Sequence, residues 1–557
     1  MIAVPASGSA FSQRLRDARN SVRTLRTARM IVGLRPDKYL RMVAAARQEG
    51  FTNTVGIALS ARRCPDRPAL IDELGMLTYR ELDLRANAFA VALQQLPSGA
   101  PQMVAVMCRN HRGFVDAVAG ADRVGADVLL LNTSFAGPAL GDVVVRERPD
   151  VIVYDQEFSA VVEHALAKRP ETLGIAAWTE DPVDPTLTVE MLIARHAGRR
   201  PSRRDRNGKV VLLTSGTTGT PKGARRAPGG GGGQGVALLS RLPWRAEETV
   251  VVAAPMFHAW GFGQLIMGSM FACTLVVRRM FDAAATMELV DRYQATGLSV
   301  VPAMLDRIME LPDQARDEFS GRSLRFVSAA GSRMRPDVVI RFMDQFGDVV
   351  YNNYNATEVG VIALAGPADL RAAPDTAGLP MPGTEIRILG EDLRELPGGQ
   401  IGQIFARTGT EFDGYTSGQT KTIRDGFMAS GDLGYLDAEG RLFVVGRDDE
   451  MIVSGGENVY PIEVEKALAT PPGVAVASAL GVDDERFGQR LAAFVVLQPG
   501  ESVTSDMLKQ HVRENLGNYR VPREIVFLNE LPRSAVGKIL RGELQARLAE
   551  TATSRPD

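Results

Sequence analysis

Short apolar runs alternate with helical patterns between residues 101 and 300, and this alternation constrains the fold more than any other feature of the sequence. The runs are brief, rich in β-branched residues and bounded by turn formers, which is typical of buried strands. The predicted strands are Val104–Met107, Val128–Leu131, Val151–Tyr154, Val210–Leu213, Val250–Ala253, Leu275–Val277 and Leu298–Val301. Strands that alternate with helices form mostly parallel sheets covered by helices, so we predict an α/β fold.

The pattern changes after about residue 375, where short strands are separated by glycine-rich turns. This change predicts a small β-rich subdomain, and the residues beyond 450 predict a small α+β unit. We therefore expect a basic N-terminal extension (1–50), a large domain (51–445), a hinge (446–450) and a small mobile C-terminal domain (451–557).

The charge of the 557 residues is nearly balanced, with a formal net charge of −2 at neutral pH. This balance argues against nucleic acid as the main partner. The three cysteines are far apart in sequence and, like the five histidines, show no metal-binding spacing. Few and scattered cysteines favour a reducing compartment, so we expect a cytoplasmic protein without a disulfide framework. The sequence leaves the oligomeric state open.

Residues 1–50 are strongly basic, with ten Lys and Arg against three Asp and Glu. No apolar run follows them, which argues against a secretory signal peptide. Apolar residues interleaved with arginines over residues 11–50 are typical of a basic surface helix. Such a helix either makes a peripheral contact with the anionic inner face of a membrane or packs against its own protein, and both interpretations stay open.

One apolar stretch, Thr249–Val277, carries no formal charge over 29 residues and is long enough to cross a bilayer. Pro255, Gly261, Gly263 and Gly268 interrupt it. We therefore predict two buried strands with a loop and an apolar helix between them.

A cluster of small polar residues, Ser215–Gly223, directly follows the predicted strand Val210–Leu213. It contains four hydroxyl side chains, three glycines and one lysine. Backbone N–H groups, hydroxyls and an ammonium at such a turn suit a phosphate group. The cluster is not a Walker A loop, because Pro221 stands where the second glycine of that motif belongs. A threonine-rich surface turn is the alternative.

Further candidate residues lie at the ends of other predicted strands. His258 stands among aromatic residues and glycines, where a lone histidine is either packed or functional. Tyr354, Thr357 and Glu358 can stack on a base, contact a phosphate and hold Mg²⁺, although a Thr-Glu pair can also cap a helix. Asp432 follows a glycine turn, which suits hydrogen bonding to ribose hydroxyls.

Two more motifs complete the set. Small residues at Ser328–Ser332 let the backbone approach a flat ligand closely. Lys538 follows a glycine near the C-terminus, where a lysine is normally solvated. Taken in this order, the motifs resemble those of the adenylate-forming enzymes, which are acyl-CoA synthetases, peptide-synthetase adenylation domains and luciferases. The resemblance covers about residues 55–545, and the chain looks most like bacterial fatty-acid CoA ligases.

The resemblance implies a role for each matching residue. The implied ATP-binding residues are Thr214, Ser215, Gly216, Thr217, Thr218, Gly219, Lys222, Gly331, Ser332, Asn353, Tyr354, Asn355, Thr357, Asp432, Arg447 and Lys538. The implied catalytic residues are Lys538, Glu358, Thr218 and His258, of which Glu358 and Thr218 would hold Mg²⁺. The implied acyl-pocket residues are Phe257, His258, Phe262, Ala330, Gly331 and Val361. The implied coenzyme A contacts are Gly455, Gly456 and Glu457, and the implied hinge residue is Asp449.

One residue departs from the family pattern Tyr-Gly-x-Thr-Glu, because this chain has Asn355 in place of the glycine. The difference concerns the adenine pocket rather than Glu358. The role of the glycine run 229–233 is not assigned by the resemblance.

The implied reaction is ATP-dependent activation of a carboxylic acid to an acyl-adenylate, followed by transfer to coenzyme A. The acyl-pocket candidates are apolar apart from His258, so a medium- or long-chain fatty acid fits best, with an aryl or sterol-derived acid as an alternative. A fatty acyl-AMP ligase that loads a carrier protein is disfavoured, because only 19 residues separate Glu358 from the turn at Gly378. A luciferase-like oxygenase is also disfavoured, and a nucleotide-binding protein without turnover is opposed by Lys538.

Overall fold

The computed structural model describes most of the chain. The described residues are 20–30, 35–50, 52–135, 137–180, 187–202, 204, 206–214, 222–226, 232–418, 420–447, 452–454, 457–484, 488–516, 520–534 and 537–553. The chain divides into two compact units. Unit 1 comprises Met1–Asp375, Met381–Thr384 and Thr408–Lys421, and unit 2 comprises Thr376–Pro380, Glu385–Arg407 and Thr422–Asp557.

Unit 1 is an α/β structure. Its strands are β1 (Pro68–Asp72), β2 (Gly75–Thr78), β3 (Met103–Met107), β4 (Asp127–Leu130), β5 (Val151–Asp155), β6 (Leu173–Trp178), β7 (Val210–Thr214), β8 (Lys222–Arg226), β9 (Thr249–Val252), β10 (Thr274–Val277), β11 (Gly297–Val300), β12 (Phe326–Ala330), β13 (Val350–Ala356) and β14 (Gly360–Ala365). Its helices are Pro36–Glu49, Val55–Arg63, Tyr79–Gln94, Arg112–Val124, Gly137–Glu147, Ser159–Lys168, Val189–Arg195, Gly232–Arg241, Ala259–Met270, Ala283–Arg292, Pro302–Met309, Asp313–Asp317, Pro336–Phe346 and Pro367–Ala372, with a 3₁₀ turn at Gln156–Phe158.

The strands of unit 1 form two mostly parallel sheets. The first sheet has the order β6-β5-β3-β4-β7-β8, and only β8 is antiparallel to its neighbour. In the second sheet the strands of this unit follow the order β14-β13-β12-β11-β9-β10-β1-β2, with β14 and β2 antiparallel to their neighbours. The predicted α/β class is confirmed.

Local sequence signals explain several of these elements. Thr78 caps helix Tyr79–Gln94, because its side chain accepts from the Glu81 N–H while the Glu81 carboxylate accepts from the Thr78 N–H. The apolar stretch Thr249–Val277 forms β9, helix Ala259–Met270 and β10, as predicted. Within the described residues we find no helix that combines the length and apolarity needed to span a bilayer.

The two sheets of unit 1 share a hydrophobic core. One cluster of buried side chains includes Val104 and Val106 of the first sheet and Leu70 and Leu275 of the second. A buried ion pair also joins the sheets. Both Asp72 carboxylate oxygens of β1 lie close to the Arg112 guanidinium, with the shortest N–O distance at 2.6 Å, and Asp72 also accepts from the Arg112 backbone N–H at 2.9 Å. Arg112 begins the helix that follows β3.

Unit 2 is rich in β structure. Its strands are β15 (Leu379–Pro380), β16 (Glu385–Leu389), β17 (Gly402–Arg407), β18 (Ile423–Arg424), β19 (Phe427–Leu436), β20 (Leu442–Arg447), β21 (Ile452–Ser454), β22 (Glu457–Val459), β23 (Val474–Asp484), β24 (Gly488–Leu497) and β25 (Glu524–Phe527). Its helices are Pro461–Leu468, Ser505–Leu516 and Arg541–Thr553.

Strands β16 to β25 form two further sheets. One has the antiparallel order β16-β17-β19-β18 with β20 on β19, around a small core of Leu389, Phe405 and Phe427. The other has the order β22-β21-β24-β23 with β25 parallel to β24. Helix residues Leu468 and Leu508 pack on one side of this sheet, and Leu544 packs on the other.

The division into units differs from the sequence expectation of one large domain over residues 51–445. The β-rich segment has its own sheet and its own core, so residues 385–407 and 422–445 belong to unit 2. Segment Thr408–Lys421 between them returns to unit 1. Residues 448–450, with Asp449, lie outside the described residues, and the hinge stays a prediction.

Candidate functional site

The second sheet of unit 1 brings several predicted site residues to one edge. Strands β9, β11, β12 and β13 are parallel neighbours in this sheet, so their C-terminal ends lie at the same edge. His258 follows β9 and Gly331 follows β12, while Tyr354 and Asn355 lie at the end of β13 and Thr357 and Glu358 directly follow it. The carboxyl edge of a parallel sheet is where ligands of α/β proteins usually bind. This edge is therefore the candidate site of unit 1.

Asn353 connects β12 and β13 at this edge. Its Nδ2 donates to Ser328 Oγ at 2.9 Å and to the Ala329 carbonyl at 3.3 Å, and the residue is 2% exposed. Its Oδ1 is buried and has no hydrogen-bonding partner among the described residues. A buried acceptor of this kind is costly unless a donor occupies it. The amino group of an adenine ring is a donor of the required kind.

Gly331 leaves room beside Asn353. Its φ of 101° lies in the left-handed region, which favours glycine, and a Cβ built there would meet no described atom within 4 Å. Ser332 is the next residue. The half-buried side chains of Tyr354, Asn355 and Thr357 follow Asn353 along the chain. Open space beside an aromatic side chain and amide groups suits a flat, polar ring.

Glu358 is held by a segment that is distant in sequence. Its carboxylate accepts from the Tyr415 hydroxyl at 2.5 Å, its carbonyl accepts from Phe412 N–H at 2.8 Å, and the residue is 7% exposed. The oxygen atoms of a carboxylate suit Mg²⁺, which prefers oxygen ligands. The structure therefore supports Glu358 as a candidate metal ligand and identifies Tyr415 as the residue that orients it.

The Tyr415 segment also pairs with the strand that carries Lys222. Thr416 N–H donates to the Gly223 carbonyl at 2.7 Å, Arg225 N–H donates to Gly414 at 3.1 Å, and Asp413 N–H donates to Arg225 at 3.0 Å. Residues 413–416 thus extend the sheet beside β8. This pairing links the strand of the predicted phosphate lysine to Glu358.

The predicted phosphate cluster joins β7 to β8. The two strands pair as a hairpin whose open end has Thr214 opposite Lys222. The backbone of both residues is described, whereas Ser215, Gly216, Thr217, Thr218 and Gly219 lie outside the described residues and stay predictions. The glycine run is likewise outside, apart from the backbone of its last two residues. The hairpin fits a turn that presents N–H groups and a lysine to phosphates.

A buried amide positions the segment that leads to His258. Asn110 donates to the carbonyls of Val252 at 3.3 Å and Ala254 at 3.0 Å, and it accepts from Met256 N–H at 2.8 Å. His258 is the N-cap residue of helix Ala259–Met270, and its ring lies 4.4 Å from that of Phe257. The amide therefore fixes the path of the chain between β9 and this helix.

The predicted acyl-pocket residues fall into two core clusters. Phe257 and Phe262 are buried in the cluster that spans both sheets, and Val361 packs against the same cluster. Ala330 is fully buried in a second cluster. Phe257, Phe262 and Val361 thus belong to one extended cluster and Ala330 to the other.

A buried network that the sequence did not predict surrounds Cys108. Cys108, His111 and Asp155 have possible ligand atoms within 4.8 Å of one another. The thiol donates to the Val153 carbonyl, His111 Nε2 bonds to Asp155 at 2.7 Å, and His111 Nδ1 accepts from Gly113 N–H at 3.0 Å. Burial raises the pKa of the Cys108 thiol well above its usual range, which disfavours the thiolate that a metal needs. The network is best explained as the anchor of the segment that contains Asn110.

Unit 2 brings Asp432 and Arg447 together. They are directly opposite on β19 and β20, and an Arg447 nitrogen lies 3.3 Å from Asp432 Oδ1. Asp432 N–H also donates to Ser430 Oγ at 3.1 Å. A carboxylate beside a guanidinium can bind a diol, because it offers both acceptors and donors.

The predicted catalytic lysine, Lys538, lies in unit 2 at the end of a turn whose first and last residues are hydrogen-bonded to each other. Ser534 N–H donates to the Lys538 carbonyl at 2.7 Å, Gly537 N–H donates to Ser534 at 2.8 Å, and Gly537 has a φ of 76°. This turn leaves the Lys538 side chain exposed. The backbone of Glu457 pairs with Ser454 in the β21–β22 hairpin, whereas Gly455 and Gly456 lie outside the described residues.

Two functional candidates were missed by the sequence analysis, Tyr415 and Asn110. Each side chain bonds to a residue that is distant in sequence, so no local sequence motif marks its role. The sequence around Tyr415, Phe412-Asp413-Gly414-Tyr415, gives only a turn signal.

Comparison with protein families gives two matches. A family described as AMP-binding enzyme matches residues 57–416, and a family described as AMP-binding enzyme C-terminal domain matches residues 463–538. The first match includes Lys222, His258, Glu358 and Tyr415, and the second includes Lys538.

Individual relatives are similar over most of the chain. An indoleacetate–CoA ligase of Aromatoleum aromaticum is 29% identical over 481 residues, which cover 85% of this chain and 93% of that protein. A fatty acid–[acyl-carrier-protein] ligase, ScoC, of Streptomyces coeruleorubidus is 28% identical over 508 residues, which cover 87% and 94%. Among solved structures, the o-succinylbenzoate CoA synthetase MenE of Bacillus subtilis, in complex with its acyl-adenylate OSB-AMP, has a TM-score of 0.75 and 26% identity, covering 88% of this chain and 97% of that chain.

Proposed function

Because the chain belongs to the AMP-binding enzyme family, whose CoA ligases use ATP, Mg²⁺ and coenzyme A, we propose that it is a fatty acyl-CoA synthetase. In the first half-reaction, an oxygen of the fatty-acid carboxylate attacks the α-phosphorus of ATP and pyrophosphate leaves. In the second, the coenzyme A sulfur attacks the acyl carbon and AMP leaves. The observation that carries the proposal is the Glu358–Tyr415–β8 connection, which links a carboxylate to the strand of Lys222.

Adenylation requires stabilisation of negative charge on the phosphates. The Lys222 ammonium and the N–H groups of the hairpin turn would neutralise the departing pyrophosphate, and Lys538 would contact the carboxylate and the α-phosphate. The Asn353 Oδ1 acceptor would orient adenine, and Asp432 with Arg447 would bind the ribose hydroxyls. These roles are electrostatic and positional, because phosphoryl and adenylyl transfer needs little covalent help from the protein.

The metal assignment follows from the chemistry of the donors. Glu358 supplies a carboxylate that is already oriented by a hydroxyl, which fits Mg²⁺. Mg²⁺ bound there would screen the charge of the phosphates. Thr218, the second ligand candidate, is a prediction from the sequence.

The thioester step would use the glycine hairpin of unit 2. We propose that the C-terminal part of unit 2, residues 451–557, turns about Asp449 after adenylation, so that Lys538 withdraws and Gly455, Gly456 and Glu457 line the path of the thiol. His258, held at the start of its helix, would lie between the acyl group and the incoming sulfur.

A fatty acid is favoured by the apolar character of the acyl candidates. Phe257 and Phe262 are buried in the same hydrophobic core cluster and Val361 packs against that cluster, while His258 is the basic residue of the set. A second carboxylate on the substrate would therefore find little compensation. The relative ScoC is named for a fatty acid, which supports this choice of acid, and for an acyl-carrier protein as the acceptor.

An aryl acid is the second candidate, because the indoleacetate–CoA ligase and the o-succinylbenzoate CoA synthetase are both named for aromatic acids. Phenylalanine side chains such as Phe257 and Phe262 can stack on an aromatic ring as well as pack on a methylene chain.

The test is a pyrophosphate-release assay with Mg-ATP, coenzyme A and either a series of saturated fatty acids or indoleacetate, with products identified by mass. We expect the highest kcat/KM with a fatty acid and accumulation of acyl-CoA. A higher kcat/KM with indoleacetate would establish the aryl-acid alternative. Release that ends at acyl-AMP would indicate carrier-protein loading, and no release with any acid would contradict the proposal.

A further inference from the structure

The basic N-terminal segment is anchored to unit 1. Residues 20–27 are helical, and Ala28 is buried in the core, where its carbonyl accepts from Ala246 N–H at 2.8 Å. Arg63 then donates to the carbonyls of Arg29 at 3.2 Å and Met30 at 3.4 Å. The described part of the segment is therefore held on the surface of the folded unit.

The next helix, Pro36–Glu49, packs through one face only. Ala45 is buried on this inner face, and Lys38 Nζ donates to the Arg63 carbonyl at 2.7 Å, at the end of helix Val55–Arg63. Residues 38, 42, 45 and 49 follow the helical repeat, so they share this side. The remaining surface of the helix faces away from the protein.

That outer face is apolar at its centre. Tyr39 is 39% exposed, Leu40 is 71% exposed and Val43 is 48% exposed. Val43 lies four residues after Tyr39 and three after Leu40, so it is next to both on the helix surface. We call these three residues the outer stripe. Large apolar side chains that are exposed side by side indicate a surface that binds a membrane or another molecule.

The charges around the outer stripe are positive. Arg35, Arg41 and Arg47 are exposed on this helix, and Arg23, Arg26 and Arg29 are exposed on the segment before it. The acidic Asp37 is already paired with Arg35 and Arg41. Positive charge is concentrated in this part of the sequence. Residues 1–50 have ten Lys and Arg against three Asp and Glu, whereas the rest of the chain has 54 Lys and Arg against 63 Asp and Glu.

We propose that the outer stripe and its arginines bind an anionic lipid surface, with Tyr39, Leu40 and Val43 inserted between headgroups. An amphipathic helix with cations beside a short apolar face is suited to the membrane interface, and anionic headgroups are attracted by each nearby arginine. A second copy of the same face is a poorer occupant, because its arginines would oppose those of the first. This inference does not depend on the identity of the acid.

The test is co-sedimentation of the full chain with vesicles of phosphatidylcholine alone or mixed with phosphatidylglycerol. We expect binding to the mixed vesicles that falls as salt is raised. The double variant Leu40→Glu, Val43→Glu should lower the partition coefficient by about tenfold or more. The matched control is Leu74→Glu, since Leu74 is 59% exposed in the turn between β1 and β2 and should not affect binding.

The contribution of charge is tested separately. Arg35→Gln with Arg47→Gln should weaken binding to mixed vesicles by about tenfold, whereas Arg394→Gln, at an exposed arginine of unit 2, should not. All of these side chains are exposed, so thermal melting and pyrophosphate release with a dissolved acid should match wild type. Equal binding of wild type and the Leu40/Val43 variant, or equal binding to neutral vesicles, would overturn the proposal. A change from dimer to monomer in sedimentation velocity, without a change in vesicle binding, would overturn it in favour of self-association.

Discussion

At the scale of single residues, the hydroxyl of Tyr415 has the most specific role. It donates to Glu358 from a segment that also pairs with β8, so one side chain orients the candidate metal ligand relative to the strand of Lys222. A hydrogen-bonding partner of a metal ligand usually contributes to both metal affinity and activity.

Tyr415→Phe removes this donor and keeps the ring, which lies 4.9 Å from Phe412. We expect the Mg²⁺ concentration for half-maximal adenylation to rise by about tenfold, with little change in KM for the acid. The measurement is pyrophosphate release during a Mg²⁺ titration. Tyr293→Phe, in a different cluster of unit 1, is the matched control. An unchanged Mg²⁺ dependence of Tyr415→Phe would show that Glu358 does not need this bond.

Lys538→Ala separates the two half-reactions. We expect adenylation to fall by about a thousandfold, because a cation that contacts the reacting phosphate is lost. Thioester formation from supplied acyl-AMP should fall much less, since the lysine is withdrawn in that step. Lys466→Ala, on helix Pro461–Leu468 of the same unit, is the control. Equal losses in both half-reactions would refute the assigned role.

At the scale of elements, sequence reasoning succeeded where local signals agree with the fold. The two strands and the helix expected within Thr249–Val277 appear as predicted. Strand boundaries shifted, as for the strand expected at Val128–Leu131, which spans Asp127–Leu130. Edge residues of strands have weak propensities, and pairing with a neighbour decides where each strand ends.

The pairing of segment 413–416 with β8 could not be predicted in the same way. Its contacts join residues about two hundred positions apart, and each is a backbone hydrogen bond that any residue type can make. Glu358 and Lys222 belong to local motifs, so the sequence names them as candidates, and their roles stay predictions. Tyr415, which bonds to Glu358, and Asn110, which fixes the path of the chain to His258, act through tertiary contacts and have no local motif.

Gly223→Ala tests this pairing. A Cβ at Gly223 would meet the side chains of Thr416 and Val211 at 2.9 Å, and both are stiff β-branched residues. We expect a loss of about 1–3 kcal/mol in the free energy of unfolding of unit 1. Gly235→Ala is the opposite control, because nothing lies within 4 Å of a Cβ there and alanine favours the helix it occupies. In chemical denaturation, Gly223→Ala should lower the free energy of unfolding and Gly235→Ala should raise it. Changes of the same sign in the two variants would contradict the packing argument.

At the scale of the whole molecule, the two sheets of unit 1 are held together by buried polar contacts as well as by a shared core. Asp72 joins β1 to Arg112 at the start of the helix after β3, and Asn110 joins the same region to the end of β9. Burial alone would raise the pKa of Asp72, but hydrogen bonds and the charge of Arg112 outweigh it and lower the pKa below its ordinary value.

This lowered pKa predicts the acid sensitivity of unit 1. A carboxyl whose pKa is lower in the folded state stabilises it above the unfolded pKa of about 3.9, and the contribution is lost as pH falls through the folded pKa. Asp72→Asn should cost about 3 kcal/mol at neutral pH, and the difference from wild type should shrink below about pH 4. The three tryptophans, Trp178, Trp244 and Trp260, all lie in unit 1, so their fluorescence reports its unfolding. Asp313→Asn, at an exposed carboxylate, is the control. If the difference in the free energy of unfolding between Asp72→Asn and wild type does not change with pH, the lowered pKa of Asp72 does not stabilise unit 1.

The order of the two units along the chain also has a consequence for synthesis. Segment Thr408–Lys421, which carries Tyr415, belongs to unit 1 but follows residues Glu385–Arg407 of unit 2. On the ribosome, which releases a chain from its N-terminus, Glu358 therefore emerges well before the residue that orients it. A fragment that stops at residue 375 contains Glu358 and Lys222 but not Tyr415. Unit 1 can be completed only after part of the other unit has been translated, so Glu358 and the strand of Lys222 are synthesised first and are connected through Tyr415 only later.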